Sequence, residues 1–485
     1  MSASFGWTSY APLDGPTGRG EPGPGPSLDP AVADELARAL SVVLDMAARS
    51  AGRSGSSATT ALIAEHLGTD LAETMVIDAA WPSWQHVSVQ RGVDAYLAER
   101  GTSSRWFGLA LPHREHNDLR SLLDMDAASG SPKLARPSYT EAAAGPDEMV
   151  EVLSTGLVPT TSPEGAPVIL VLREVAHRGP QQAGVEVLCG DRASGSAVLA
   201  RVRELVDAHD VMRGQVVSFG PGEHYGNELV TFMPRPDLDE SDVILPDGLL
   251  AGVERHILAV GEQGDRLREL GIHLKRGLLL HGPPGTGKTH TVRYLMGKAR
   301  RATVIVLSGP AMQLIGTAAA LARRLTPAIV VLEDVDLIAQ DRSFDSPNAL
   351  LFSLLDTMDG VAADADITFV LTTNRAADLE EALVERPGRI DLAVEIPRPD
   401  SRGRCRLVRL YAGRARLDAD PAIAADALDG VTASAIKELM RRAVLAAMEV
   451  SADEAVITDE ILRAAVAEFL AEGAELTRSL LGAGE

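Results

Sequence analysis

The sequence predicts an α/β fold, and three stretches of its second half carry that prediction. Gly277-Leu-Leu-Leu-His-Gly-Pro-Pro-Gly-Thr-Gly-Lys-Thr289 is an apolar run that opens into a glycine-rich turn. Ile329-Val-Val-Leu-Glu-Asp-Val-Asp336 is a second apolar run that ends on carboxylates, and Phe369-Val-Leu-Thr-Thr-Asn374 is a third that ends on polar residues. Short, continuous apolar runs bounded by turn signals and separated by helical patterns read as strands buried on both faces of a parallel sheet.

The composition narrows the class. At 485 residues the chain exceeds ordinary single-domain size, so two or three domains are expected. Hydrophobic residues at 45% and charged residues at 24% are the balance of a soluble globular protein. A net charge of −22 weighs against nucleic acid and anionic membrane as partners, since phosphates would be repelled over most of the surface. Cys189 and Cys405 stand far apart, without the spacing of a zinc site or a disulfide framework. No apolar run approaches the roughly 20 residues that span a bilayer, and the N-terminus lacks a basic region followed by an apolar core, so a cytoplasmic protein is expected. Arginine supplies nearly all the basic charge, which suggests a GC-rich, bacterial genome.

Along the chain, residues 1–28 alternate Gly, Pro and charge and read as a disordered tail. Asp29 and Pro30 open a helical pattern with apolar Val32, Leu36, Leu40, Val43 and Leu44. Residues 29–235 form the expected N-terminal domain, α/β or α+β, with strands near Pro167–Leu172, Val185–Leu188, Gln215–Ser218 and Leu229–Phe232 and a helix near Ser196–Ala208. The cluster His113, Glu115 and His116 lacks zinc-protease spacing and reads as a polar loop. Trp81 and Trp84 flank Pro82 and read as packing residues. A Pro- and acid-rich linker, Pro234–Asp242, precedes the second half.

The glycine-rich turn has the chemistry of a phosphate cradle. Gly282, Gly285 and Gly287 allow backbone N–H groups to face inward, while Pro283, Pro284 and Thr286 complete the turn. Lys288 contributes a point charge to the phosphates, Thr289 a hydroxyl to Mg²⁺, and the helix that continues through His290 adds its partial positive charge. At the end of the second strand, Glu333 is the expected water-mediated ligand of Mg²⁺ and Asp334 the group that polarises an attacking water.

With these motifs in place, residues 243–480 resemble the AAA family of ATPases. The resemblance implies a P-loop three-layer ATPase subdomain over 243–398 and a helical lid subdomain over 399–485, with ATP and Mg²⁺ as cofactors. Asn374 stands at the position similar to the family's sensor 1. Ala382-Leu-Val-Glu-Arg-Pro-Gly-Arg-Ile-Asp391 matches the family's arginine-finger segment, so that Arg386 and Arg389 would act on a neighbouring subunit's ATP. Val243-Ile-Leu-Pro246 lies where such domains seat adenine, and Ser401–Tyr411 opens the lid. Thr432 caps a lid helix with an apolar stripe of Ile436, Leu439, Met440, Ala443, Val444 and Ala447. The family implies a ring, usually a hexamer, that remodels or threads a protein substrate, with the N-terminal domain as the candidate for partner recognition.

Three features depart from the family pattern. Glu333 precedes Asp334 where Asp before Glu is usual, a swap also found in the branch resembling the mitochondrial Rieske-protein translocase. Ala433-Ser434-Ala435 replaces a Gly-Ala pair. The substrate-gripping loop is short and offers Leu314-Ile315-Gly316 without an aromatic residue. Leu314 and Ile315 therefore have two readings, as pore residues or as side chains packed under the sheet. Two functions stay open as well: a motor that remodels protein, and a nucleotide-gated scaffold with slow hydrolysis. No His-Glu-x-x-His follows the module and the chain ends without a hydrophobic-tyrosine pair, which leaves a free-standing remodeller as the expectation.

Overall fold

Two large β-sheets organise the described residues. The computed structural model describes residues 58–102, 105–109, 119, 134–175, 182–221, 228–336, 356–362, 364–375, 390–451 and 454–471. The predicted tail, the helix from Asp29, the His113–His116 cluster, Arg386 and Arg389 lie outside the described residues.

The first sheet is antiparallel. It combines β1 (Met75–Pro82), β2 (Ser138–Ala143), β3 (Met149–Thr161), β4 (Pro167–Val175) and β5 (Gln182–Cys189) in the spatial order β1-β5-β4-β3-β2. Helices α1 (Ala58–Leu67), α2 (His86–Glu99) and α3 (Arg192–Ala208) accompany it. α2 and α3 pack through Val89, Val93, Val198, Val202 and Val206 onto the buried Val168, Leu170, Leu172, Val185 and Val187. Gly92 allows close approach, because a Cβ there would stand 2.7 Å from the backbone nitrogen of Val206. Asp191 caps α3 by accepting the N–H of Ser194 at 2.9 Å. The one buried charge pair of this sheet that spans two strands, Arg173 with Glu186, is satisfied in part by further bonding of Glu186 to Leu119 N–H at 3.0 Å.

The second sheet has seven strands. β6 (Val216–Pro221) and β7 (Glu228–Met233) are followed by β8 (Arg276–His281), β9 (Thr303–Ser308), β10 (Ala328–Glu333), β11 (Ile367–Thr373) and β12 (Leu392–Glu395), in the order β12-β8-β11-β10-β9-β6-β7. All neighbours are parallel except β6 and β7. The apolar runs read from the sequence are the central strands, buried from Arg276 to Leu280, Thr303 to Leu307 and Ala328 to Leu332. The strands expected at Gln215–Ser218 and Leu229–Phe232 correspond to β6 and β7. β6 pairs with β9 and β7 with β6, which extends this second sheet, so its residues begin well before 243.

The linker is held firmly. Arg235 donates to the carbonyls of Gly214, Met296, Ala299 and Ala302, which closes the C-terminal end of helix α4 (Lys288–Lys298). One apolar core runs from Val87 and Val152 beside the first sheet through Val217, Phe219, Ile305 and Met312 of the second. Trp84 meets Phe219 edge-on with ring centroids 5.7 Å apart. Around this seam Arg324 contacts Asp207 at 2.7 Å and the buried Asp210 at 3.3 Å, while Arg213 reaches the carbonyls of Arg324 and Thr326.

That core also settles the environment of Ile315. A 3₁₀ turn, Gly309–Leu314, leads from β9 into helix α5 (Ile315–Arg324), and Ile315 is 1% exposed within the core while Leu314 packs against it. The pore placement of Ile315 is therefore corrected. With no intervening loop residues, the turn runs straight into an amphipathic helix whose first residue belongs to the buried face.

The C-terminal helices α6 (Ser401–Tyr411), α7 (Ala422–Ala427), α8 (Ala433–Val450) and α9 (Asp459–Ala471) share a separate core built from the predicted stripe Ile436, Leu439, Met440, Ala443 and Ala447 together with Leu407, Leu462 and Phe469. Among the described residues no helix is long and apolar enough to cross a membrane.

Candidate active site

The site forms where β8, β10 and β11 end, as parallel strands require of a shared rim. After His281 the chain turns at Gly282, whose φ of +133° is closed to other side chains and whose added Cβ would meet Ile396 O at 2.4 Å. Pro283, Pro284 and Gly285 carry the loop outward, and Thr286 Oγ1 donates to Pro283 O at 2.9 Å to close it. Gly287 occupies the N-cap of α4 with no side-chain cap, which leaves the first N–H groups of the helix to the loop.

Lys288 is 5% exposed, and its ammonium donates to Gly282 O at 2.8 Å and Pro283 O at 2.9 Å. Burial lowers its pKa, while the carboxylates of Asp334 and Asp336 act in the opposite direction. Thr289 is exposed at the loop. His290 Nε2 donates to Asp242 O at 3.0 Å and so ties α4 to the segment beginning at Val243. Val243 is buried in the core of the second sheet and Ile244 packs on the lid core, so the expected adenine-seat segment lies between the two subdomains.

Glu333 and Asp334 are half-buried at the end of β10. Burial, and after it the charge of Asp334, push the Glu333 carboxyl above the usual carboxylate range, with Arg293 opposing. Asp334 has φ +53°, the one non-glycine residue in the left-handed region among those described. Such a conformation costs about 1 kcal/mol or more and persists only where its surroundings hold it. Here Asp334 N–H donates to Thr372 Oγ1 at 2.9 Å and Val335 N–H to Thr372 O at 3.0 Å.

Asp336 was not among the candidate residues, yet it joins the strand ends. It is 5% exposed and accepts Thr373 Oγ1 and Asn374 N–H at 3.0 Å each, with Asn374 Nδ2 at 3.5 Å. Its position two residues after Asp334 was visible, but its pairing with β11 depends on the sheet. Ser434 was likewise noted only as a departure. Its N–H donates to Gly285 O at 3.1 Å, and a Cβ on Gly285 would come within 2.1 Å of its hydroxyl. Thr432 sits at the N-cap of α8 and contacts that hydroxyl at 3.0 Å without making a capping bond.

This donor set fits a polyphosphate with a divalent cation. One buried ammonium, an uncapped helix start and a glycine turn face phosphate oxygens, while two adjacent carboxylates and a threonine hydroxyl offer the hard oxygen donors that Mg²⁺ prefers. Among the described residues no group of three or more His, Cys, Asp or Glu is arranged to hold a metal by itself.

A parallel sheet carrying a phosphate loop, an acidic strand end and a polar strand end defines a nucleotide-binding domain of the P-loop class. Residues 278–398 match the "ATPase family associated with various cellular activities (AAA)". Residues 278–398 therefore match an AAA family ATPase domain, for which ATP and Mg²⁺ are the implied ligands. It is 34% identical over 172 residues to the "26S protease regulatory subunit 6A" of Caenorhabditis elegans, covering 32% of this chain and 39% of that protein. Identity to the "26S proteasome regulatory subunit 6B homolog" of Schizosaccharomyces pombe is 30% over 244 residues, 44% of this chain and 61% of the relative. The "ATP-dependent zinc metalloprotease FtsH 3" of Sphaerobacter thermophilus is 31% identical over 271 residues, 52% of this chain and 54% of that protein. The chain thus spans less than two thirds of the length of these relatives.

Proposed function

We propose that the protein hydrolyses ATP and uses the cycle to remodel or thread a protein partner as a homo-oligomeric ring of AAA modules, a hexamer by family resemblance. The observation that carries this reading is the convergence of Lys288, Glu333, Asp334, Asp336 and Asn374 at the ends of β8, β10 and β11. Bound Mg²⁺ would neutralise phosphate charge, and Thr289 with Glu333 would hold it. The chain's own residues then divide the work. Gly282, Pro283, Pro284, Gly285, Thr286 and Gly287 present backbone N–H groups, Lys288 leaves its carbonyl partners for phosphate oxygens, and Asp334 orients and deprotonates water. Asn374 is positioned by Asp336 to face the same space. Ser434 gives the lid a direct contact with the loop, so that motion of the loop reaches the lid through Gly285.

Arg386 and Arg389 complete the neighbouring site in this reading, and the sheet of residues 75–189 with its helices supplies partner recognition. The names of the relatives, proteasome regulatory subunits and a protease, support a protein substrate. Glu333 before Asp334 supports a place near the branch resembling the mitochondrial Rieske-protein translocase, and the arginine-rich basic composition supports a GC-rich, bacterial source. The nucleotide-gated scaffold remains the second reading, favoured by the burial of Ile315, which removes a gripping side chain from the loop.

Steady-state phosphate release tests the primary reading. The parent should turn over ATP, Lys288→Ala should lose nucleotide binding in a fluorescent-nucleotide titration, and Asp334→Asn should bind without turnover. Unchanged affinity in Lys288→Ala overturns the site; arrest by Glu333→Gln with binding intact, and not by Asp334→Asn, reverses the order of the two carboxylates.

A further inference from the structure

A second cavity, of about 360 Å³, opens at the opposite edge of the seven-stranded sheet from the nucleotide loop. It is framed by the starts of the parallel strands: Arg276 begins β8, Ala302 precedes β9, Ala328 begins β10 and Thr368 lies at the start of β11. Ile257, Leu258, Pro327 and Ile329 make its apolar walls. Its floor holds the buried pair Arg276 and Asp366, 2.8 Å apart.

The chemistry of the lining is specific. Of its five cations, Arg268 pairs with Asp265, Arg276 with Asp366 and Lys298 with Asp239, so Arg300 and Arg301 supply the excess positive charge in a chain whose net charge is −22. Arg276 spends its terminal nitrogens on Leu274 O, Asp366 and Ile257 O, which leaves its Nε–H without a partner. Thr368, 0% exposed, has an unpaired hydroxyl as well. Two buried donors without acceptors are costly in an apolar wall and call for an acceptor-rich occupant. Gly261 and Gly264 keep the floor uncovered, since added Cβ atoms would stand 3.5 Å from Arg276 Nη2 and 3.6 Å from Asp366 Oδ2.

We propose that this cavity binds a small organic oxyanion, a phosphate or carboxylate head on an apolar body, independently of the nucleotide loop. The excess positive charge of Arg300 and Arg301 attracts and holds the head, a small shift of the lining brings the orphan donors to its oxygens, and the walls bury the body; the volume falls in the range of small-molecule sites. None of these residues takes part in the nucleotide chemistry, which lies at the other ends of the same strands.

The test uses the full chain saturated with Mg-ADP, which blocks the glycine-rich loop, titrated with phenyl phosphate and separately with benzoate by calorimetry. Saturable 1:1 binding of at least one probe is expected, and which one binds tells a phosphate head from a carboxylate head. Arg300→Glu with Arg301→Glu should weaken binding at least about tenfold while Mg-ADP affinity stays unchanged, because both side chains are on the exposed rim. Thr368→Val, which removes the hydroxyl at nearly constant shape, should weaken binding with a melting temperature at or above that of the parent. No saturable binding of either probe at millimolar concentration, equal affinity in the charge-reversed variant, or displacement by excess ADP overturns the proposal.

Discussion

Asp336 accepts the main-chain N–H of Asn374 at 3.0 Å, and the same oxygen receives the hydroxyl of the fully buried Thr373. The end of β11 is thus held by a carboxylate from the turn after β10. Asp336→Asn keeps the volume but loses an acceptor-only group, so Asn374 should lose its fixed position. Turnover should fall by about tenfold or more with nucleotide affinity nearly unchanged, since about 1.4 kcal/mol of transition-state positioning is a factor of ten. Equal losses in binding and turnover would instead make Asp336 a purely structural residue.

Ile315 provides a test of the buried loop. Ile315→Ser removes apolar volume from the core and places a hydroxyl there, which should cost about 3 kcal/mol or more and lower the melting temperature accordingly. A variant carrying serine at both Leu314 and Ile315 should fall further. A double variant as stable as the parent that has lost partner processing would restore the pore reading.

Glu333 predicts a pH dependence of the nucleotide-free protein. Its folded-state pKa is raised by burial and by the neighbouring Asp334, so the folded state binds its proton more tightly than the unfolded state does. The ionised carboxylate therefore costs stability above that raised pKa, and the cost fades as pH falls toward the ordinary carboxylate range. Glu333→Gln should raise the melting temperature near neutral pH, with the gain shrinking on acidification. A gain that is the same at every pH would point to packing and not to charge.

Arg386 and Arg389 lie outside the described residues, and the expectation for them rests on the family's finger segment. Subunits carrying Lys288→Ala have intact fingers, and subunits carrying Arg389→Ala have intact loops. Mixed assemblies of the two inactive variants should regain part of the ATPase rate, because an interface that pairs a good loop with a good finger is complete. Absence of recovery in demonstrably mixed assemblies, or full activity of isolated monomers, argues against a shared site.

Much of the site was legible because its chemistry is local. The turn at Gly282 to Thr289 is dictated by backbone freedom and by the residue that must follow it, and Glu333 with Asp334 could be read from an apolar run ending on charge. Asp336 and Ser434 were not readable in the same way. Each acts on a residue far away in sequence, Asn374 and Gly285, and no local pattern encodes such a pairing. The strands at 216–221 and 228–233 illustrate the same limit: their alternation and length identify them as strands, but which sheet they join depends on the hydrogen bonds of β9.

The sequence by itself determined the P-loop, the acidic strand end and the lid helix stripe, because glycine conformations, strand apolarity and helical periodicity are properties of neighbouring residues. Only the tertiary structure decided that Ile315 is core, that β6 and β7 belong to the second sheet, and that Arg235 seals the end of α4. Those outcomes depend on which surfaces meet. A six-residue 3₁₀ connection from β9 into α5 leaves Ile315 on the face turned to the sheet, where burying its side chain is worth roughly 1.5 to 3 kcal/mol and exposing it would forfeit that.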